Sequence, residues 1–220
     1  MEPIGTRISR PASSRRRADT DAVQARRQAI LAAAGEAFLT KGYAETTTLE
    51  IAGLANTSKR ALYQHFADKR DILNHLVRER SGEMAAPIEM AEPRSKAAFF
   101  EAIAAFGAAF LVRLVDPTTI ALYRLAIAEP GPSSDLGQAL EASGHAPVRQ
   151  SLRRFLEHGA ARGWLGGSDL DSALEAYFDL LIGSVTMGQL LRTEPLPGQD
   201  ALRRRAERAA AALRRLAMSF

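Results

Sequence analysis

Residues 47–69 read Thr47-Thr48-Leu49-Glu50-Ile51-Ala52-Gly53-Leu54-Ala55-Asn56-Thr57-Ser58-Lys59-Arg60-Ala61-Leu62-Tyr63-Gln64-His65-Phe66-Ala67-Asp68-Lys69. Thr47 stands where a hydroxyl accepts from a free N–H in the first turn of a short helix over 48–55, with Ile51, Ala52 and Ala55 on its inner side. Ser58 is placed in the same way for a helix that runs to His65, with Leu62 and Phe66 inward. Only Asn56 and Thr57 lie between them, so the two helices meet at a sharp angle. Asn56 is the turn residue, because Asn tolerates left-handed backbone better than any residue except Gly. Asp68 and Asp71 then form a capping box ahead of Ile72, Leu73, Leu76 and Val77.

A helix that reads bases lies in the major groove, with a second helix across its back and phosphate contacts on either side. The outward set here is Ser58, Lys59, Arg60, Tyr63 and Gln64, a mixture of phosphate binders and base-edge readers. Taken singly, each of these residues also suits a solvated polar face. Their combination with two caps and a tight turn is what points to DNA.

Working outward, Ile30, Ala33, Ala34, Ala37 and Phe38 share one face of a preceding helix that stops at Lys41-Gly42. Residues 1–23 are rich in Arg, Ser and Pro without an apolar period and read as a disordered basic arm. Its Arg15, Arg16 and Arg17 would enter a minor groove or only raise non-specific affinity. Residues 24–84 read as the DNA-binding domain, its four helices ending near Ser81, with Gly82, Pro87 and Pro93 marking 81–95 as a break. Residues 85–220 read as a second helical domain, with helices expected over 96–115, 118–128, 147–162, 170–192 and 200–218. A weaker stretch over 135–143 leads into a loop containing Gly144. The fold class expected is all-α.

Net charge is +4 and uneven: residues 1–80 carry +5 and the rest −1, so the basic excess faces the front, as an anionic partner would require. The absence of cysteine excludes disulfides, thiolate metal sites and thiol nucleophiles, and points to a reducing compartment. No apolar run follows the N-terminal arginines, so a cytoplasmic location is expected. The apolar stretches 97–115 and 176–191 carry Glu101, Arg113, Asp179 and Gln189 and read as buried helices, with no membrane partner. His65, His75, His145 and His158 show no metal-ligand spacing, and His75 with Glu79 lacks further ligands. Without a phosphate-cradling Gly loop or an activated-serine turn, no enzyme, metal or cofactor is expected.

The run from Gly42 to Ala52, continuing from Ala55 to Lys69, resembles the TetR family of bacterial regulators. That resemblance implies an N-terminal three-helix helix-turn-helix domain joined to a larger helical domain for ligand binding and dimerisation. It implies that Thr47 and Lys69 bind phosphates, that Tyr63 and His65 touch the backbone, and that Lys59, Arg60 and Gln64 face the groove. Thr48, Ser58 and Ala61 complete the implied DNA-contacting set. Where the family's turn usually carries Gly and Thr, this chain has Arg60 and Ala61, so its operator is its own.

Further along, Asp116-Pro117, Leu122 to Glu129, Gly163-Trp164-Leu165 and Asp169-Leu170 resemble the AefR-like C-terminal domain. By that resemblance the last two helices form a four-helix dimer interface suited to a palindromic operator of double-stranded DNA, and a small-molecule effector occupies an apolar cavity. Phe99, Phe106, Phe110, Tyr123, Trp164, Tyr177 and Met187 are the candidate lining. In the last helix Leu202, Ala206, Ala209, Leu213 and Leu216 form a narrow helix-packing seam backed by arginines. A rival reading, a helical small-molecule or lipid-binding protein whose first domain has lost DNA binding, rests on Arg60 and Ala61.

Overall fold

The computed structural model describes residues 12–128, 135–166 and 169–216; these are all-α, and no strand occurs among them. The chain divides into two compact units between Ile72 and Leu73.

The first unit holds α1 (Ala12–Lys41), α2 (Thr48–Leu54), α3 (Lys59–His65) and the start of α4 (Lys69–Glu89). Its core is the apolar face read from the sequence: Ile30, Ala34, Ala37 and Phe38 with Ile51, Ala52, Leu62, Phe66 and Ile72, all buried. Gly42 ends α1 at φ 92, a backbone that Gly adopts without strain. The buried Thr46 hydroxyl, 2.7 Å from the Gly42 carbonyl and 3.2 Å from that of Ala37, locks the connection that follows.

Two boundaries differ from the sequence reading. Apolar period alone starts the first helix after the arm, yet α1 begins at Ala12, so part of the stretch expected to be disordered is helical. Residues 12–22 contain no Pro or Gly, and Ala and Arg are strong helix formers that extend an already nucleated helix. Residues 1–11 lie outside the described residues.

The break expected after Ser81 is also corrected, because α4 passes through Gly82 and Pro87 to Glu89. Burial of Met84, Ala85 and Ile88 offsets the weak propensity of Gly82, and Pro87, which deprives one carbonyl of its helical donor, falls in the final turn.

The second unit holds the rest of α4, then α5 (Lys96–Leu114), α6 (Pro117–Ala128), α7 (Asp135–Ala139), a π-helical segment (Leu140–His145), α8 (Ala146–Ala161), α9 (Leu170–Ile182), α10 (Val185–Leu191) and α11 (Gln199–Leu216). By length and composition α5 is apolar enough to cross a membrane, more so than the sequence reading allowed. Here it is the central core helix, with Phe99, Phe100, Ile103, Phe106, Phe110 and Leu111 buried and α11 lying along it. Gly107 makes that approach close: a Cβ there would collide with the Tyr177 hydroxyl and press on Ala206.

The single helix expected over 170–192 is corrected to two, α9 and α10, broken at Gly183-Ser184. Gly183 takes φ 44, and Arg205 from α11 fills the space beside it. The guanidinium donates to the terminal carbonyls of α9, at 2.5 Å to Leu181 and 3.2 Å to Ile182, a cap that long-range packing supplies. Arg124 on α6 closes α10 likewise, donating to Gln189 (2.6 Å) and Leu190 (3.0 Å).

The loop expected at Gly144 is absent, since α7, the π-helical segment and α8 run on without interruption. Gly144 sits against Val77 of α4, and the Ser81 hydroxyl donates to the Ser143 carbonyl at 2.9 Å, which ties this wide turn to α4.

Candidate functional site

Thr47 caps α2 by accepting from the Glu50 N–H at 3.2 Å, and Ser58 caps α3 by accepting from the Ala61 N–H at 3.1 Å. Between them Asn56 takes φ 49, left-handed as its chemistry suggests. Asp68 accepts from the Asp71 N–H at 2.7 Å, while the Asp71 carboxylate reaches back to the Ala67 N–H at 3.0 Å, so α4 opens with reciprocal caps. The end of α1 is pinned to α2 by a Lys41–Glu50 ion pair, whose hydrogen bond from Lys41 holds the Glu50 carboxyl below the usual carboxylate range.

On the outer surface, Thr48 Oγ1 and Tyr63 Oη share a hydrogen bond of 3.1 Å that bridges α2 to α3, and the Lys59 ammonium lies 5.8 Å from the centre of the Tyr63 ring. Thr47, Ser58, Lys59, Arg60, Tyr63 and Gln64 are exposed, and Thr48, Ala61, His65 and Lys69 are half-buried. Arg60 and Gln64 have no hydrogen-bond or ion-pair partner among the described residues. Lys69 differs from its neighbours: its ammonium donates to the carbonyls of Tyr43 (2.7 Å) and Ala44 (3.1 Å) and sits over the Tyr43 ring, 4.5 Å from its centre. It holds the α1–α2 connection against the start of α4.

The second unit contains a cavity of about 320 Å³ lined by Phe110, Leu114, Val148, Phe178 and Ile182, with Tyr123, Glu141, His145, Arg149 and Thr186 as its polar members. Of the candidate lining residues, Phe110 and Tyr123 border this cavity. Phe99, Phe106 and Tyr177 are wholly buried core instead: Phe99 stacks on Phe155, and Tyr177 donates to the Ile103 carbonyl at 2.9 Å, its phenol pushed up by burial. Trp164 packs on Phe99 beneath Arg162, away from the cavity, and Met187 is 56% exposed.

The sequence reading missed His145, Glu141, Arg149 and Thr186. A signal existed for the first two, since an acid four residues before a His shares a helix face with it. The His145 ring lies on that of Tyr123 and bonds to its hydroxyl, and its other nitrogen is 3.1 Å from the Glu141 carboxylate. Burial, helped by Glu141, raises the Tyr123 phenol to about 12, so it stays protonated. Among the described residues no group of three His, Asp or Glu side chains is placed to hold a metal ion.

Two capped helices about a left-handed Asn, with an exposed polar face on the second, define a helix-turn-helix protein. Residues 30–76 match the model of the tetR family of bacterial regulatory proteins, and residues 101–215 match that of the AefR-like transcriptional repressor C-terminal domain. The chain belongs to the TetR family. It is 46% identical over 55 residues to the HTH-type transcriptional regulator HbdR of Aromatoleum sp., a match covering 25% of this chain and 24% of that protein. Over 62 residues it is 40% identical to the HTH-type transcriptional repressor BepR of Brucella suis, covering 28% and 29% respectively. The matched segments thus span about a quarter of each curated relative. A TetR transcriptional regulator from Agrobacterium tumefaciens aligns in structure with TM-score 0.71 and 25% identity, over 86% of this chain and 93% of that one.

Proposed function

We propose that this chain is a cytoplasmic transcriptional repressor, not an enzyme, that binds a palindromic double-stranded operator as a homodimer and is released by a small, largely apolar effector. The observation that carries the reading is the outer face of α3. Arg60 and Gln64 stand on it without partners among the described residues, beside Lys59 and a Tyr63 that its bond to Thr48 holds in place. A guanidinium and a carboxamide so presented suit the edges of guanine and adenine, and Thr47, Ser58, Tyr63 and His65 suit the flanking phosphates. Lys69 acts in this reading as a positioning residue, because its ammonium is already engaged by backbone carbonyls.

In this reading the dimer face is separate from the helix-packing seam of α11. Leu202, Ala206, Ala209 and Leu213 of α11 are buried, and α11 packs on α5 of its own chain. Apolar side chains left outside are Leu180 on α9, Met187 and Leu191 on α10 and Leu216 on α11, between 41% and 63% exposed. These outer sides of the last helices support an isologous two-fold contact, and a two-fold dimer matches a palindromic site. The cavity, with apolar walls and few polar groups, supports the effector.

A mobility-shift titration against the DNA upstream of the chain's own gene tests the proposal. The expected result is a saturable complex resisting excess random duplex, with Arg60→Ala or Gln64→Ala each costing about 1–3 kcal/mol of discrimination. Equal affinity for random and upstream duplex would overturn it.

A further inference from the structure

We infer that the cavity bounded by α5, α6, α8 and α9 is built for a compact apolar carboxylate; the assignment rests on the effector-binding reading above and specifies its chemistry. Glu141 is a carboxylate and only accepts, so His145 Nδ1, 3.1 Å away, carries the proton. His145 Nε2 is then the acceptor, and Tyr123 must donate to it. Those three side chains satisfy one another, and Glu141, 68% exposed, has its charge directed to His145 and to water.

Thr186 borders the cavity, but its Oγ1 is buried out of reach of an occupant. One group remains. Arg149 has no ion pair among the described residues, and its guanidinium lies 5.7 Å from the centre of the Phe178 ring, itself part of the wall. An exposed guanidinium with no ion pair among the described residues, set beside Phe110, Leu114, Val148 and Ile182, suits a carboxylate carried on a hydrocarbon body. Protonated Tyr123 still offers its oxygen lone pairs, so a donor on the same ligand, such as a hydroxyl, finds a partner too. At about 320 Å³ the cavity lies at the small end of ligand sites, which favours a single-ring or short branched acid over a long acyl chain.

Titration calorimetry on the full chain with phenylacetate, phenylacetamide and phenethylamine reads this directly. Phenylacetate is expected to bind about tenfold or more tighter than the amide, because charge-assisted hydrogen bonds exceed neutral ones by about that much, and the amine weakest of all. Arg149→Met, a surface change that should leave the far-UV circular dichroism unaltered, brings the acid down to the amide's affinity without altering the amide. Equal binding of acid and amide, or an acid preference that survives Arg149→Met, overturns the anion assignment and leaves the cavity as an effector site. Binding by none of the three overturns both for ligands of this size.

Discussion

At the scale of single residues, Asn56 sets the angle of the helix-turn-helix corner. Its φ of 49 strains any residue with an ordinary Cβ, so Asn56→Ala should cost about 1–2 kcal/mol and Asn56→Gly much less, read as midpoints of urea unfolding. Lys59 and Lys69 separate two uses of a lysine. Lys59→Met should lower the slope of log affinity against log salt by about one, as expected for a lost phosphate contact. Lys69→Met should weaken DNA binding with the slope nearly unchanged, and should lower the unfolding midpoint as well, since Tyr43 and Ala44 lose their donor. Thr47, Asn56 and Ser58 were legible in the sequence because capping and left-handed turns are decided within a few residues. The cavity wall was not legible in the same way. Helical spacing identifies Phe99, Phe106 and Tyr177 as inward, but only the assembled fold separates a side chain that fills the core from one, like Phe110, that borders a void.

At the scale of elements, most of the helices stand where apolar period put them, and the departures have tertiary causes. A Gly within an apolar run reads as a tolerated defect, so residues 170–192 look like one helix. Arg205, more than twenty residues later, caps α9 and makes Gly183 a break. Arg205→Ala should therefore cost about 1–3 kcal/mol, because two terminal carbonyls lose a charged donor, and thermal unfolding at neutral pH measures it. The run from α7 through the π-helical segment into α8 is a second instance. Gly144 suggests a loop by composition, yet its missing side chain lets the wide turn sit against Val77, with Ser81 holding the Ser143 carbonyl. In α4, Gly82 and Pro87 misled for the same reason: burial of Met84 and Ile88 outweighs local propensity.

For the whole molecule, family membership rests on matches over residues 30–76 and 101–215, while the proposed operator binding requires a symmetric pair of reading heads. Replacing Leu180 and Leu191 together by Glu should give a folded monomer in sedimentation velocity, with operator affinity reduced far more than non-specific affinity, because two half-sites are then bound independently. The most direct test is selection of bound duplexes from a random pool by the full chain. A palindrome whose half-sites lie about ten base pairs, or a multiple of that, apart should be enriched, and Arg60→Ala with Gln64→Ala should abolish the enrichment. A pool that stays random, or a single asymmetric site indifferent to those two substitutions, would contradict it.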